Sequence, residues 1–325
     1  MIVVESLKKT YETKAKIGFL KSEKRCVEAV KKLDMEIEKG KIVGLLGING
    51  AGKTTSIKML STLLLPTAGR ITMDGIDAVK DSMQVKKKIN MIAGGERMIY
   101  WRLTGRENLW YFGQLYGIEN RVLSERIDYL LKLVGIEEKQ DVPVENYSKG
   151  MKQRLQIARG LINNPDYIFM DEPTLGLDSV ISRELRTHIQ SIASEEGKGI
   201  LLTSHYMAEI EELCDYVYIL NKGEVIAKGT PKELAMIGMN KKTLYLNLER
   251  SKGNIHQILC EACTSADKTA TVQAEDREGG FIITSSLDLK GIISKACIDH
   301  RLVIHKLFEE EPKLEDAIIK LSKGA

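Results

Sequence analysis

The sequence predicts an α/β fold, a parallel sheet with helices on both faces, followed by a small α+β domain. Three observations lead there. From Lys41 onward apolar runs alternate with helical stretches: Ile42 to Leu46, a helix from Lys53, Tyr167 to Asp171, a second helical stretch, and Ile200 to Ser204. Strands that alternate with helices pair in parallel and are buried on both faces. A glycine-rich turn stands between the first of these strands and its helix. Beyond about Asn240 the pattern becomes strand, helix, strand, strand, helix, strand, the split βαβ or ferredoxin-like order. The expected domains are 1–238 and 239–325.

Ile2 to Leu7 and Val27 to Ile37 read as strands of an antiparallel β subdomain. Between them stand Lys8, Lys9, Lys14, Lys16, Lys21, Lys24 and Arg25, expected as a solvated loop, with a position near anionic lipid headgroups as the second reading. Residues 104–160 carry helical periodicity without comparable strands and read as a helical subdomain inserted into the α/β core. Tyr216 to Leu220 and Val225 to Lys228 form a hairpin, because Asn221-Lys222-Gly223 tolerates the positive φ of a tight turn. Thr230-Pro231-Lys232-Glu233 starts a helix, with proline at its first position and capping-box spacing. In the last domain Leu244, Leu246 and Leu248 alternate as in a strand, Thr271 to Ala274 and Phe281 to Thr284 are further strands, and helical stretches follow Ser251, Leu287 and Pro312.

A chain of 325 residues suits two domains at about 150 residues each, and 43% hydrophobic with 29% charged residues excludes disorder and collagen-like structure. No apolar run is long enough to cross a bilayer. Met1-Ile2-Val3-Val4-Glu5 lacks the layout of a secretory signal, so a cytoplasmic protein is expected. Forty-eight basic against forty-five acidic side chains leave a net charge of +3, too balanced to indicate a nucleic-acid binder. Five thinly spread cysteines fit reduced thiols. Cys260 and Cys263 form a lone CxxC in a predicted helix that would bury both sulfurs.

Two segments carry chemistry. Gly47 to Thr54 fits the phosphate-loop pattern G-x-x-x-x-G-K-[ST]. Gly47, Gly50 and Gly52 let backbone N–H groups converge on phosphates, the helix that follows offers its positive dipole end, Lys53 reaches the β and γ phosphates, and Thr54 can hold Mg²⁺. Asn49 and Thr55 belong to the same nucleotide-binding set. Tyr167 to Asp171 is an apolar strand that delivers Asp171 and Glu172 to the edge of the sheet where ligands bind. Asp171 is assigned to Mg²⁺ through water, and Glu172 to taking the proton of an attacking water.

Over residues 1–232 the order of these motifs resembles the ATP-binding subunit of ATP-binding cassette transporters. Tyr147-Ser148-Lys149-Gly150-Met151 resembles the family signature written LSGGQ, with only Ser148 and Gly150 retained. An N-cap serine and an unhindered glycine N–H can both donate to a γ-phosphate. The resemblance implies that this segment completes the site of a second subunit, so that ATP and Mg²⁺ are held in a homodimer, or in a heterodimer with a related subunit. Leu175-Gly176-Leu177-Asp178 resembles the D-loop between subunits, His205 the switch histidine on the γ-phosphate, and Tyr11 the aromatic residue stacked on adenine. A transmembrane permease partner is implied, with membrane contact through that partner on the cytoplasmic face and no nucleic acid. The last domain, ending in Glu311 to Asp316, resembles that of prokaryotic drug- and antibiotic-resistance exporters, which implies export.

The family glutamine near Mg²⁺ is missing from Ile92-Ala93-Gly94-Gly95-Glu96-Arg97. Either Glu96 takes its role or nothing does. Tyr100-Trp101-Arg102-Leu103 is rich in residue types that anchor interfaces and could receive a permease helix, with core packing of Trp101 as the alternative. A soluble cassette ATPase acting on ribosomes or DNA is the rival reading, but the chain holds one phosphate loop and no heptad-patterned arm. Asn221-Lys222-Gly223-Glu224 superficially suggests a GTPase base-reading motif, yet it lacks the aspartate.

Overall fold

The computed structural model describes residues 1–17, 21–93, 99–237, 242–249, 254–275, 280–309 and 313–323. They form two compact units, one built on Met1–Leu234 and the other on Ala235–Leu321.

In the first unit β1 (Ile2–Ile17) and β2 (Lys21–Ile37) make a long antiparallel hairpin, paired from Ile2↔Ile37 out to Ile17↔Lys21. The solvated loop expected over the basic stretch is therefore corrected to paired strand. Thr10, Tyr11, Thr13, Ile17 and Val27 favour extended backbone, and cross-strand pairing satisfies N–H and C=O groups whatever the lysine content. After the hairpin come β3 (Ile42–Gly47), α1 (Lys53–Leu60), β4 (Ala68–Met73), β5 (Ile76–Asp77), α2 (Ser82–Lys88) and β6 (Ile89–Ala93). The helical segment holds α3 (Gly105–Leu115), α4 (Asn120–Leu133) and α5 (Lys149–Leu161). Then follow β7 (Tyr167–Asp171), α6 (Ser179–Ser194), β8 (Gly199–Thr203), α7 (Met207–Leu213), β9 (Tyr216–Asn221), β10 (Glu224–Gly229) and α8 (Pro231–Ile237).

The sheet order is β5-β4-β1-β2-β10-β9-β3-β8-β7-β6. Its β9-β3-β8-β7-β6 half is parallel, and the β5-β4-β1-β2 part is antiparallel. Every residue of β8, and all of β3 and β7 but the last, is buried, which explains their unbroken apolar runs. Strands β4, β5 and β6 carry no comparable signal in the sequence. Ile89 to Ala93 is five residues long, and a short apolar run does not by itself distinguish strand from buried helix.

The helical segment starts with a capping box: Thr104 Oγ1 accepts from Glu107 N, and Thr104 N donates to Glu107 Oε2 at 2.8 Å. Trp101 does not pack in the core. It is 49% exposed, with Lys152 Nζ 4.7 Å from its ring centroid. Buried Asn108 fixes this stretch, accepting from Tyr100 N and donating to the carbonyls of Tyr100 and Thr104.

The second unit contains β11 (Lys242–Leu248), α9 (Ile255–Ala266), β12 (Thr271–Glu275), β13 (Gly280–Ser285), α10 (Lys290–Asp299), β14 (Ile304–Glu309) and α11 (Leu314–Lys323). Its antiparallel sheet runs β12-β13-β11-β14, the ferredoxin-like order. Leu244, Leu246, Leu248, Phe281 and Ile283 share a core with Leu259 and Ile293. At the end of α9, hydrogen bonds from Ser285, Ser286 and Thr269 hold the Asp267 carboxyl far below its ordinary range. The helix buries Cys263 only. Cys260 is half-buried, with its Sγ 3.7 Å from His256 Nδ1, so the expected burial holds for Cys263 and is corrected for Cys260. Among the described residues no group of three or more His, Cys, Asp or Glu side chains could hold a metal ion, and no helix is long and apolar enough to cross a membrane.

Candidate nucleotide site

Three neighbouring parallel strands, β3, β8 and β7, end at one edge of the sheet, and each carries part of the site. At the end of β3 the phosphate loop turns through positive φ at Gly47, Gly50 and Gly52. Two of these glycines are also sterically required. A Cβ on Gly47 would lie 2.3 Å from Leu220 O, and one on Gly52 would lie 2.6 Å from Ala29 O. Gly52 is the N-cap of α1, and no side chain caps that end, so the site faces free helix N–H groups.

Lys53 folds back over the loop, its Nζ 2.5 Å from Gly47 O and 3.4 Å from Ile48 O, and is 8% exposed. Burial pulls its pKa below the ordinary lysine value, and the carboxylates of Glu172 and Asp171 offset part of that effect. Asn49, Gly50 and Thr54 are exposed, and Thr55 is half-buried.

The loop is braced from behind by the turn between β9 and β10. Gly223 N donates to Ala51 O at 3.1 Å, and Gly223 O accepts from Lys31 N at 2.8 Å. Gly223 has φ +84°, and a Cβ there would stand 3.0 Å from Lys31 N and 3.1 Å from Ala29 O. Gly223→Ala is therefore expected to cost about 1–3 kcal/mol of stability, read as a lower urea midpoint with an unchanged slope.

At the ends of β7 and β8, Asp171 pairs with Thr203. Thr203 Oγ1 donates to Asp171 Oδ1 at 2.6 Å, and Glu172 N donates to Thr203 O at 3.0 Å. Thr203, absent from the sequence reading, thus orients one acid and anchors the other. Its signal was a hydroxyl closing an otherwise apolar strand. Glu172 has φ +54°, a left-handed turn that takes its side chain off the strand line. His205 Nε2 lies 2.5 Å from Glu172 Oε1. The edge thus brings together the phosphate loop, both acids and the histidine.

Ser148 caps α5, its Oγ accepting from Met151 N at 3.2 Å, which leaves the hydroxyl hydrogen free to point elsewhere. Gly150 packs on Ile181, where a Cβ would approach Cδ1 to 2.6 Å. Lys149, at the third signature position, donates from Nζ to Gly176 O at 2.7 Å, joining the signature to the 175–178 turn. Asp178 caps α6, its Oδ1 accepting from Val180 N and Ile181 N. Tyr11, 36% exposed, pairs with Val27 on the hairpin that passes the loop at Ala29, and Lys9 Nζ sits 5.4 Å from its ring centroid. Glu96 lies outside the described residues.

A phosphate loop on a parallel sheet edge beside paired acids defines a P-loop nucleotide hydrolase. The profile of the ABC transporter family matches residues 30–175. The chain is 46% identical over 211 residues to the ABC transporter ATP-binding protein NatA of Bacillus subtilis, covering 65% of this chain and 85% of that protein. It is 31% identical to the linearmycin resistance ATP-binding protein LnrL of Bacillus subtilis, covering 99% of this chain and 98% of that one. The dimeric post-hydrolysis structure of the ATP-binding cassette MJ0796 with ADP and Pi superposes with a TM-score of 0.61 at 25% identity, over 71% of this chain and 98% of that chain. The chain belongs to the ABC transporter family as an ATP-binding subunit, an ATP hydrolase that works with a transmembrane permease.

Proposed function

We propose that this subunit drives export through a separate permease by closing, around ATP, onto a second copy of itself or a related subunit. The observation that carries this reading is the shared strand edge, where Lys53, Asp171, Glu172 and His205 converge. The phosphates lie on the glycine loop and the start of α1, with the Lys53 ammonium on the β and γ groups. Ser148 and Gly150 supply donors to the nucleotide of the other subunit. Tyr11 stacks on adenine, exchanging the Lys9 contact for a base. Asp178 belongs to the turn that passes between subunits.

Thr54 and Asp171 offer a hydroxyl and a carboxylate, hard oxygen donors of the kind Mg²⁺ takes alongside phosphate and water. Bound there, the ion would neutralise phosphate charge. Thr203 would keep Asp171 aimed at it. Glu172 accepts the proton of the attacking water, and His205, next to that carboxylate, orients it and contacts the γ-phosphate.

The full-length likeness to a protein named for linearmycin resistance supports export of an antibiotic-like molecule and a place on the cytoplasmic face of the membrane. Half-exposed Tyr100, its backbone held by Asn108, and half-exposed Trp101 form the dock for a permease helix. Aromatic anchors of this kind contribute about 2 kcal/mol or more to an interface, so Trp101→Ala is expected to weaken permease binding about 30-fold or more, raising by that factor the permease concentration that half-stimulates hydrolysis and leaving basal hydrolysis unchanged. The functional test is ATP-dependent drug uptake into inside-out vesicles carrying the subunit with its permease. Uptake that ignores ATP contradicts the reading.

A further inference from the structure

Glu209 on α7 is 2% exposed and has no part in the chemistry above. Its Oε2 accepts from Thr174 Oγ1 at 3.1 Å and from Ser204 Oγ, and Ser204 Oγ accepts from Tyr206 N at 3.0 Å. Its Oε1 is buried without a hydrogen-bond partner. Thr174 and Ser204 are buried as well. Placing a carboxylate there is costly, and leaving one of its oxygens unpaired adds to the cost. An apolar side chain of similar volume avoids that cost but cannot join two hydroxyls.

The two hydroxyls belong to the two loops that carry the catalytic pair. Thr174 lies in the turn closed by Leu175 N donating to Glu172 O at 3.2 Å. Ser204 immediately precedes His205. Glu172 and His205 touch at 2.5 Å, and the chain segments that hold them meet again, deeper in the protein, on one carboxylate oxygen.

We propose that Glu209 is a positioning residue for hydrolysis, bracing the 172–175 turn against the 204–206 turn so that Glu172 and His205 keep their relative placement. The inference rests on the assignment of Glu172 as base under the proposed function. It separates Glu209 from the phosphate loop, which stands on β3, α1 and the Gly223 turn. Loss of the brace therefore disturbs turnover and spares nucleotide affinity.

The test compares the full-length wild type with Glu209→Ala, Glu209→Gln and Glu172→Gln, measuring kcat for Mg-ATP hydrolysis and ATP affinity by calorimetry. Glutamine keeps an acceptor oxygen for both hydroxyls, whereas alanine keeps none. Misplacement of a reacting group by about 1 Å costs on the order of 100-fold, so alanine is expected to lower kcat about 10- to 100-fold with ATP affinity within about threefold of wild type. Glutamine is expected to restore most of the rate. Should alanine prevent folding, Thr174→Val, which removes one of the two hydroxyls, carries the same expectation. Wild-type turnover in Glu209→Ala overturns the proposal, as does an equal fall of rate and affinity in both Glu209 variants. Failure of the underlying base assignment shows separately, as a Glu172→Gln variant with wild-type turnover, and it overturns the proposal too.

Discussion

Glu172→Gln is expected to lower ATP turnover by about 10²- to 10⁴-fold, the range lost when a general base is removed, and to leave ATP binding intact. The expectation follows from where Glu172 stands. Its backbone N is tied to β8 through Thr203, and the left-handed turn at φ +54° aims the side chain away from the strand, toward His205. Glutamine is nearly isosteric and keeps an oxygen acceptor for His205, so the turn and the phosphate loop retain their geometry. An amide oxygen, however, is far too weak a base to take a proton from water. Single-turnover hydrolysis beside equilibrium ATP binding separates the two effects, and parallel loss of both would instead indicate a collapsed site.

Lys53→Ala has the opposite signature. Lys53 is buried, with its ammonium over the Gly47 and Ile48 carbonyls of the loop. Burial lowers its pKa, and the negative charge of a triphosphate favours the protonated form again. A hydrogen bond to a charged group contributes about 1.5–3 kcal/mol, so calorimetry should show ATP affinity about 10- to 100-fold weaker. Unchanged affinity contradicts the role given to the loop.

Most of the α/β core was legible because its strands are buried on both faces and its phosphate loop has a fixed spacing. Tyr167 to Asp171 reads as strand from five residues, and the Asn221-Lys222-Gly223 turn from three. The hairpin beyond Leu7 was not legible, because lysine content signals solvent, whereas backbone pairing between Ile17 and Lys21 sets the local structure. The candidate site was legible where the loop geometry limits the residue type, as at Gly47 and Gly52, and where the spacing of the phosphate loop sets it, as at Lys53. The residues that hold it escaped notice for a physical reason. Thr203 and Glu209 act through neighbours far away in sequence, Thr203 on Asp171 across 32 positions and Glu209 on Thr174 across 35. No local pattern encodes such partners. The Lys149 link to Gly176 belongs to the same class, since a lysine where the family has glycine reads as mere divergence until its acceptor is seen.

In the proposed arrangement ATP is held between Lys53 on one subunit and Ser148 on another. Light scattering on purified Glu172→Gln protein at saturating Mg-ATP measures this most directly. The account predicts the mass of two chains with ATP and of one chain without it, and a second substitution, Ser148→Arg, should return the ATP-bound sample to one chain. A single-chain mass at saturating ATP, or a dimer indifferent to Ser148→Arg, contradicts it.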